Sequence, residues 1–179
     1  LGDPAVVLFG VDRLDYTKGI AHRLKAYGEL LADEQLQAGE VCLIQVASPS
    51  RENVGTYIEL RDQVELMVGQ ITGQHDTLSH TTLRYLHHSY PLREMISLYL
   101  AADVLLVTAL RDGMNLVAKE YVAAHQDGRG VLVLSEFTGA ADQLTQSVLV
   151  NPHDIDGMKV KIMEAVNMDE TEQAKRMKR

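Results

Sequence analysis

Short unbroken apolar runs alternate along this chain with stretches whose apolar residues recur every three or four positions. Ala5 to Val11, Val41 to Ala47, Leu83 to Leu86, Val104 to Val107, Val131 to Leu134 and Val148 to Val150 read as strands. Between them, Ile20, Leu24, Tyr27 and Leu31 mark one helix, and Tyr57, Leu60, Val64, Met67 and Ile71 a longer one. Met95, Leu98, Tyr99 and Ala102 mark a third, with Pro91 near its first turn. Asn115 to Ala124 forms another, and Met158, Ile162 and Ala165 one more beyond the last strand. The charged tail from Asp169 to Arg179 reads as a cut helix that frays.

Strand and helix therefore alternate about six times. Continuous Val/Leu/Ile runs between amphipathic helices imply a parallel sheet covered on both faces, so the expected class is α/β, doubly wound and Rossmann-like. Ligands of such sheets bind beyond the carboxyl ends of the strands, which is where chemistry is to be sought. The folded unit is expected over residues 1–168, with 169–179 as its tail.

Bulk properties narrow the classes. Hydrophobic residues make up 46% of the 179 and charged residues 23%, an ordinary globular balance. The net charge of −8 argues against a broad nucleic-acid surface, which needs clustered cations, but leaves room for a small anion held by a few placed ones. No apolar run approaches the length of a membrane span. The lone Cys42 cannot build a disulfide framework and reads as a buried thiol, so a cytoplasmic setting is expected. The start, Leu1-Gly2-Asp3-Pro4, has neither an initiator Met nor a leader pattern; a piece of a longer protein is expected.

Three strand ends carry the candidate chemistry. After the first comes Val11-Asp12-Arg13-Leu14-Asp15-Tyr16-Thr17-Lys18-Gly19, two cations in one loop before a helix. A helix N-terminus attracts anions, Arg adds a bidentate fork and Lys a compact charge, and together they suit a diphosphate. Alternatively, Arg13 and Lys18 pair with Asp12 and Asp15; the residues alone leave both readings open. The loop has neither the Walker pattern nor G-x-G-x-x-G. Arg51 lies at the mouth of the second helix and can face an anion there.

The fourth strand runs into Arg111-Asp112-Gly113-Met114-Asn115-Leu116-Val117-Ala118-Lys119-Glu120-Tyr121. Gly113 permits close backbone approach or a positive φ. Asn115 can cap the helix, whose first N–H groups can hold oxygens. Asp112 can accept from sugar hydroxyls, and Glu120 can grip a ribose as acidic residues do in dinucleotide folds. A capped helix with a solvated Glu explains Asn115 and Glu120 but not the cluster Arg111-Asp112-Gly113.

With Val131-Leu132-Val133-Leu134-Ser135-Glu136-Phe137-Thr138-Gly139-Ala140-Ala141 and Val150-Asn151-Pro152-His153-Asp154 added, the chain resembles, from Val6 to about Val166, the C-terminal donor-binding domain of the trehalose-6-phosphate synthases, retaining glycosyltransferases of the GT-B fold. The resemblance implies transfer of glucose from UDP-glucose to glucose 6-phosphate with retention, giving trehalose 6-phosphate and UDP. It implies that Arg13 and Lys18 bind the diphosphate and act catalytically on the charge of the leaving UDP. Leu116 and Val117 then offer N–H groups to the phosphates, and Glu120 holds the ribose. Asp112, Gly113, Met114 and Asn115 surround the glucose, Ala118 and Lys119 complete the donor run, Tyr90 meets the uracil, and Arg51 meets the acceptor's phosphate. No cofactor or essential metal is implied, and no protein nucleophile. The partner implied is an N-terminal acceptor domain absent from this chain, without which the piece is expected to be inactive; a homo-oligomer is compatible with it.

Two other readings stay open: a related GT-B transferase or pseudo-glycosidic synthase with another donor or acceptor, and a non-catalytic sugar-nucleotide sensor. A metal at His87-His88 is disfavoured, because neighbours in a strand face opposite sides and no third ligand is near. Asp154-Ile155-Asp156 spells D-x-D but stands at a helix start, where capping explains it.

Overall fold

In the computed structural model, which describes residues 1–178, the apolar runs form strands β1 (Val6–Arg13), β2 (Val41–Ser48), β3 (Leu83–Leu86), β4 (Val104–Val107), β5 (Val131–Ser135) and β6 (Val148–Val150). They make one sheet in the order β3-β2-β1-β4-β5-β6, and its ladders are parallel. The helices between and after them are α1 (Ile20–Ala32), α2 (Gly55–His75), α3 (Leu92–Ala101), α4 (Leu116–Ala124), α5 (Ile155–Val166) and α6 (Glu170–Met177). This is the doubly wound α/β sheet that the alternation predicts.

The inner strands β1, β2, β4 and β5 are largely apolar because each serves two cores. Leu8, Val104, Leu106, Val131 and Val133 pack on one face with residues of α1, α2 and α5. Their neighbours Phe9, Leu105, Val107, Leu132 and Leu134 pack on the other with residues of α3 and α4. Successive side chains of a strand point to opposite faces, so a sheet covered twice needs no polar alternation. Strand order reverses between β1 and β4. Their carboxyl ends thus frame the crevice where ligands of such sheets bind.

Several local expectations shift. β1 runs on to Arg13 and β2 to Ser48. Pro91 is the N-cap of α3, at φ −65° and ψ 154°, next to its first turn as expected. His87 and His88 lie just past β3, where His87 Nδ1 meets the Ala47 carbonyl. The tail is held as well as helical: Asp169 caps α6 by accepting from the Glu172 N–H, and Arg176 pairs with Glu172 and Glu164. Arg179, the end of the predicted tail, lies outside the described residues. Asp154 caps α5 by accepting from the Gly157 N–H, which gives the D-x-D its capping role. Cys42 is buried, and burial pushes its thiol up to about 11, so it stays protonated. Among the described residues no helix is long and apolar enough to cross a membrane.

Candidate active site

The loop after β1 tightens into a 3-10 turn, Tyr16–Lys18, because Asp15 caps it. One Asp15 oxygen accepts from both the N–H and the hydroxyl of Thr17, at 2.8 and 2.7 Å. The turn ends at Gly19, whose φ is +67° and where a Cβ would fall 2.0 Å from the Thr108 carbonyl oxygen. Only glycine permits that approach, and it presses the β1 loop against the end of β4. Leu110 completes the seam by donating its N–H to the Thr17 carbonyl at 2.8 Å.

Among the described residues neither Asp12 nor Asp15 forms an ion pair with Arg13 or Lys18 as the alternative pairing requires, although the Arg13 charge adds a last, small pull downward on the Asp15 carboxyl. Asp12 is buried and binds Arg23, 2.7 Å away. Lys18 crosses instead to Asp112, 2.7 Å away, with both side chains largely shielded from water. Arg13 stands exposed at the tip of β1, with no ion-pair partner among the described residues. Burial pulls the Asp112 carboxyl upward. The hydrogen bond and charge of Lys18, with help from Asn115 and the Met114 N–H, outweigh it and hold the group below the usual carboxylate range.

Beyond Asp112 the chain enters α4 through Asn115. Of the two possibilities for Gly113, the positive φ falls on Asn115 instead, at +77°. Asn is the side chain that tolerates this region best after Gly. Its Oδ1 accepts from the Ala118 N–H at 3.0 Å and its Nδ2 donates to Asp112 at 3.2 Å. The cap thus uses the third N–H of the helix. The N–H groups of Leu116 and Val117 find no acceptor among the described residues, which leaves them for a ligand. Ala118 is buried and its N–H is taken, so of the donor run it has least to offer. Lys119 donates to Gln143. Gly113 and Met114 border the same loop, and a Cβ on Gly113 would meet nothing within 4 Å. No crowding inside the chain therefore demands glycine there.

Glu120 is exposed one turn further on and is held by the Tyr99 hydroxyl at 2.8 Å. Burial, then Glu120 itself, push the Tyr99 phenol far up, so it remains a donor. Tyr90, before α3, shares a 2.6 Å hydrogen bond with His88 Nε2. Arg51, in the loop between β2 and α2, adopts φ +45° and lies over the Tyr57 ring, 5.5 Å from its centre.

The structure thus gathers Lys18, Asp112, Asn115 and the two free N–H groups at the crevice between β1 and β4. It places Glu120 one turn along α4, and joins Arg51 to the β1 loop through Tyr57. Pattern reading missed Gly139, where a Cβ would fall 2.1 Å from the Gly113 carbonyl oxygen. That close approach lets Gly139 donate to the Asp112 carbonyl at 3.1 Å and brace the Asp112 loop. Tyr57, Tyr99 and the buried Arg23 were also missed, since each looks like ordinary helix interior until its partner is known. The apolar hollow lined by Val122, Leu132, Leu144 and Met177 touches the start of β5 and lies away from these residues.

The model of glycosyltransferase family 20 matches residues 1–179. A trehalose-6-phosphate synthase of Mycolicibacterium smegmatis (strain ATCC 700084 / mc(2)155) is 53% identical over 178 residues, covering 99% of this chain and 35% of the relative. The chain therefore spans about a third of the length of that relative. An alpha,alpha-trehalose-phosphate synthase (UDP-forming) from Burkholderia xenovorans, solved in complex with glucose-6-phosphate, superposes with a TM-score of 0.95 at 40% identity, over 99% of this chain and 39% of that one. A structure from E. coli bound with UDP-2-fluoro glucose gives 0.94 at 40% identity, over 99% and 40%. The match over the full length of the chain makes it a member of glycosyltransferase family 20.

Proposed function

We propose that this chain is the donor-binding half of a retaining GT-B glucosyltransferase that moves glucose from UDP-glucose to glucose 6-phosphate, releasing UDP and trehalose 6-phosphate. The observation that carries the reading is the convergence of Lys18, Asp112 and the unpaired N–H groups of Leu116 and Val117 where the strand order reverses. An anion there meets one cation, two oriented N–H groups and a helix dipole, with Arg13 free at the rim. The relatives' bound ligands, a UDP-glucose analogue in one and glucose-6-phosphate in another, support the donor and acceptor identities.

The leaving diphosphate gains negative charge as the glycosidic bond breaks. Cations fixed beforehand stabilise that charge more in the transition state than in the ground state, which lowers the barrier. Lys18 is prepositioned by its bond to Asp112. As Lys18 turns to the diphosphate, Asp112 is freed to accept from a glucose hydroxyl, beside the open space at Gly113. Glu120, oriented by Tyr99, accepts from the ribose hydroxyls, and Tyr90 borders the base. The donor unit is residues 1–168 with the α6 tail docked on it. An N-terminal domain supplies the rest of the acceptor site, and the whole enzyme works in the cytoplasm.

Calorimetric titration of the full-length protein with UDP-glucose, GDP-glucose and ADP-glucose tests this, repeated with Arg13→Ala and Glu120→Ala. The expected result is binding of the UDP sugar, weakened by about tenfold or more in each variant. No binding of any of the three by the full-length protein overturns the reading.

A further inference from the structure

Tyr57 is the third residue of α2 and is almost wholly buried, yet its ring and hydroxyl both face the site. Three neighbours meet it. The guanidinium of Arg51 sits over its face, 5.5 Å from the ring centre, within the range at which a cation is drawn to an aromatic quadrupole. The ring of Tyr16 packs against it at 5.6 Å and 56°. Its hydroxyl donates to the Asp15 carboxylate at 3.3 Å, to the oxygen that Thr17 leaves free. Asp15 and Tyr16 shape the turn that ends in Lys18.

Among the described residues Arg51 makes no side-chain ion pair or hydrogen bond. It is exposed, and its backbone stands in the left-handed region, which costs an L-residue energy and persists only where the surroundings impose it. Its carbonyl accepts from the Val54 N–H at 2.9 Å, which fixes the turn but not the side chain. The Tyr57 ring is the contact that limits where the guanidinium can go.

We propose that Tyr57 is a positioning residue for the transfer reaction: its ring holds Arg51 in place for the acceptor's phosphate and packs that cation's support against the donor loop through the Tyr16 ring. The proposal rests on the reading of Arg51 as an acceptor contact. An exposed arginine otherwise loses side-chain freedom when it binds phosphate, and pre-ordering removes part of that cost. The tie to the turn also sets the distance between the two anion sites, one for the diphosphate and one for the acceptor.

The test is steady-state kinetics of UDP release by the full-length protein, varying glucose 6-phosphate and UDP-glucose separately. Tyr57→Leu and Tyr57→Met remove the ring, Tyr57→Phe keeps it, and Arg51→Ala removes the cation. Thermal unfolding selects whichever ring-removing variant folds. The expected result is a KM for glucose 6-phosphate raised about three- to tenfold without the ring, a KM for UDP-glucose changed less than twofold, and near wild-type values for Tyr57→Phe. Combining ring loss with Arg51→Ala should add nothing to Arg51→Ala alone. Equal rises in both KM values, or independent multiplication of the two effects, overturn the positioning role and leave Tyr57 merely structural. An unchanged acceptor KM in Arg51→Ala overturns the acceptor reading itself. A changed one there, with none on ring loss, overturns only the proposal.

Discussion

Lys18 Nζ and Asp112 Oδ2 stand 2.7 Å apart, joining two loops 94 residues apart in sequence across the point where the strand order reverses. Only 15% and 16% of the two side chains is exposed, so removing either charge strands the other where water reaches it poorly. Lys18→Met should cost about 1–3 kcal/mol in urea unfolding of the full-length protein, with much of it recovered when Asp112→Asn is added. A double variant as unstable as the sum of the singles would show that the pair is not coupled.

The same pair gives an acid signature. Asp112 is held below the unfolded carboxyl value of about 3.9, so folding releases its proton more readily. The stability this supplies is fully present above that value and is lost as pH falls through the lower folded one. Asp15, also depressed against its burial by Thr17 and Tyr57, acts in the same direction. Unfolding free energy should fall from about pH 4 downward, and Asp112→Asn should make that fall shallower. An unchanged slope in the variant would contradict the ion pair.

Asn115 does two jobs at once. It caps α4 through the Ala118 N–H and holds a φ of +77°. Asn115→Ala loses the cap, about 1 kcal/mol, and adds about 1–2 kcal/mol of left-handed strain. Asn115→Gly keeps the backbone and a weaker cap, and should cost only a few tenths by comparison. Denaturation midpoints of the two variants check the order; an Ala variant as stable as the Gly one would mean that the strain is not borne there.

The strands were legible because a doubly covered sheet writes itself as unbroken Val/Leu/Ile runs, and β4 and β6 begin and end where those runs do. The candidate loops were legible because a parallel sheet binds ligands past its strand ends. What pattern reading could not reach was pairing. Asp12 and Asp15 are nearer to Lys18 in sequence than Asp112 is, yet Arg23, buried beneath the loop, takes Asp12 first. Of the two reasons for a glycine at 113, the positive φ sits on Asn115 instead, and the glycine that the chain's own packing demands is Gly139. Such facts depend on how two loops meet, and no periodicity within either loop records that.

Tyr99 reaches Glu120 from the buried side of α3, 2.8 Å away. If Glu120 grips the ribose, Tyr99→Phe leaves the carboxylate charged but unaimed, and the KM for UDP-glucose should rise several-fold, a fraction of the worth of one hydrogen bond to a charged group. Glu120→Gln should narrow the preference for UDP-glucose over its 2′-deoxyribose analogue. A preference unaltered by Glu120→Gln would remove Glu120 from the ribose site.

Beneath both loops lies Arg23, fully buried. Its Nη1 donates to Asp12 and to Gln45, each at 2.7 Å, and its Nε to the Thr108 hydroxyl at 3.0 Å. Asp12 and Thr108 close β1 and β4, so this one guanidinium ties together the floor under Lys18 and Asp112. Taking one partner from a buried ion pair leaves a bare charge in the interior, whereas replacing both with apolar or neutral groups is often close to neutral. Arg23→Met should therefore destabilise the protein by about 3–5 kcal/mol, and adding Asp12→Asn should recover a large part of the loss. The recovered protein still lacks the bridge between the strand ends, so its affinity for UDP-glucose should stay below wild type even where its unfolding free energy does not. Calorimetry beside chemical denaturation separates the two: stability and affinity returning together would mean that Arg23 serves the fold alone.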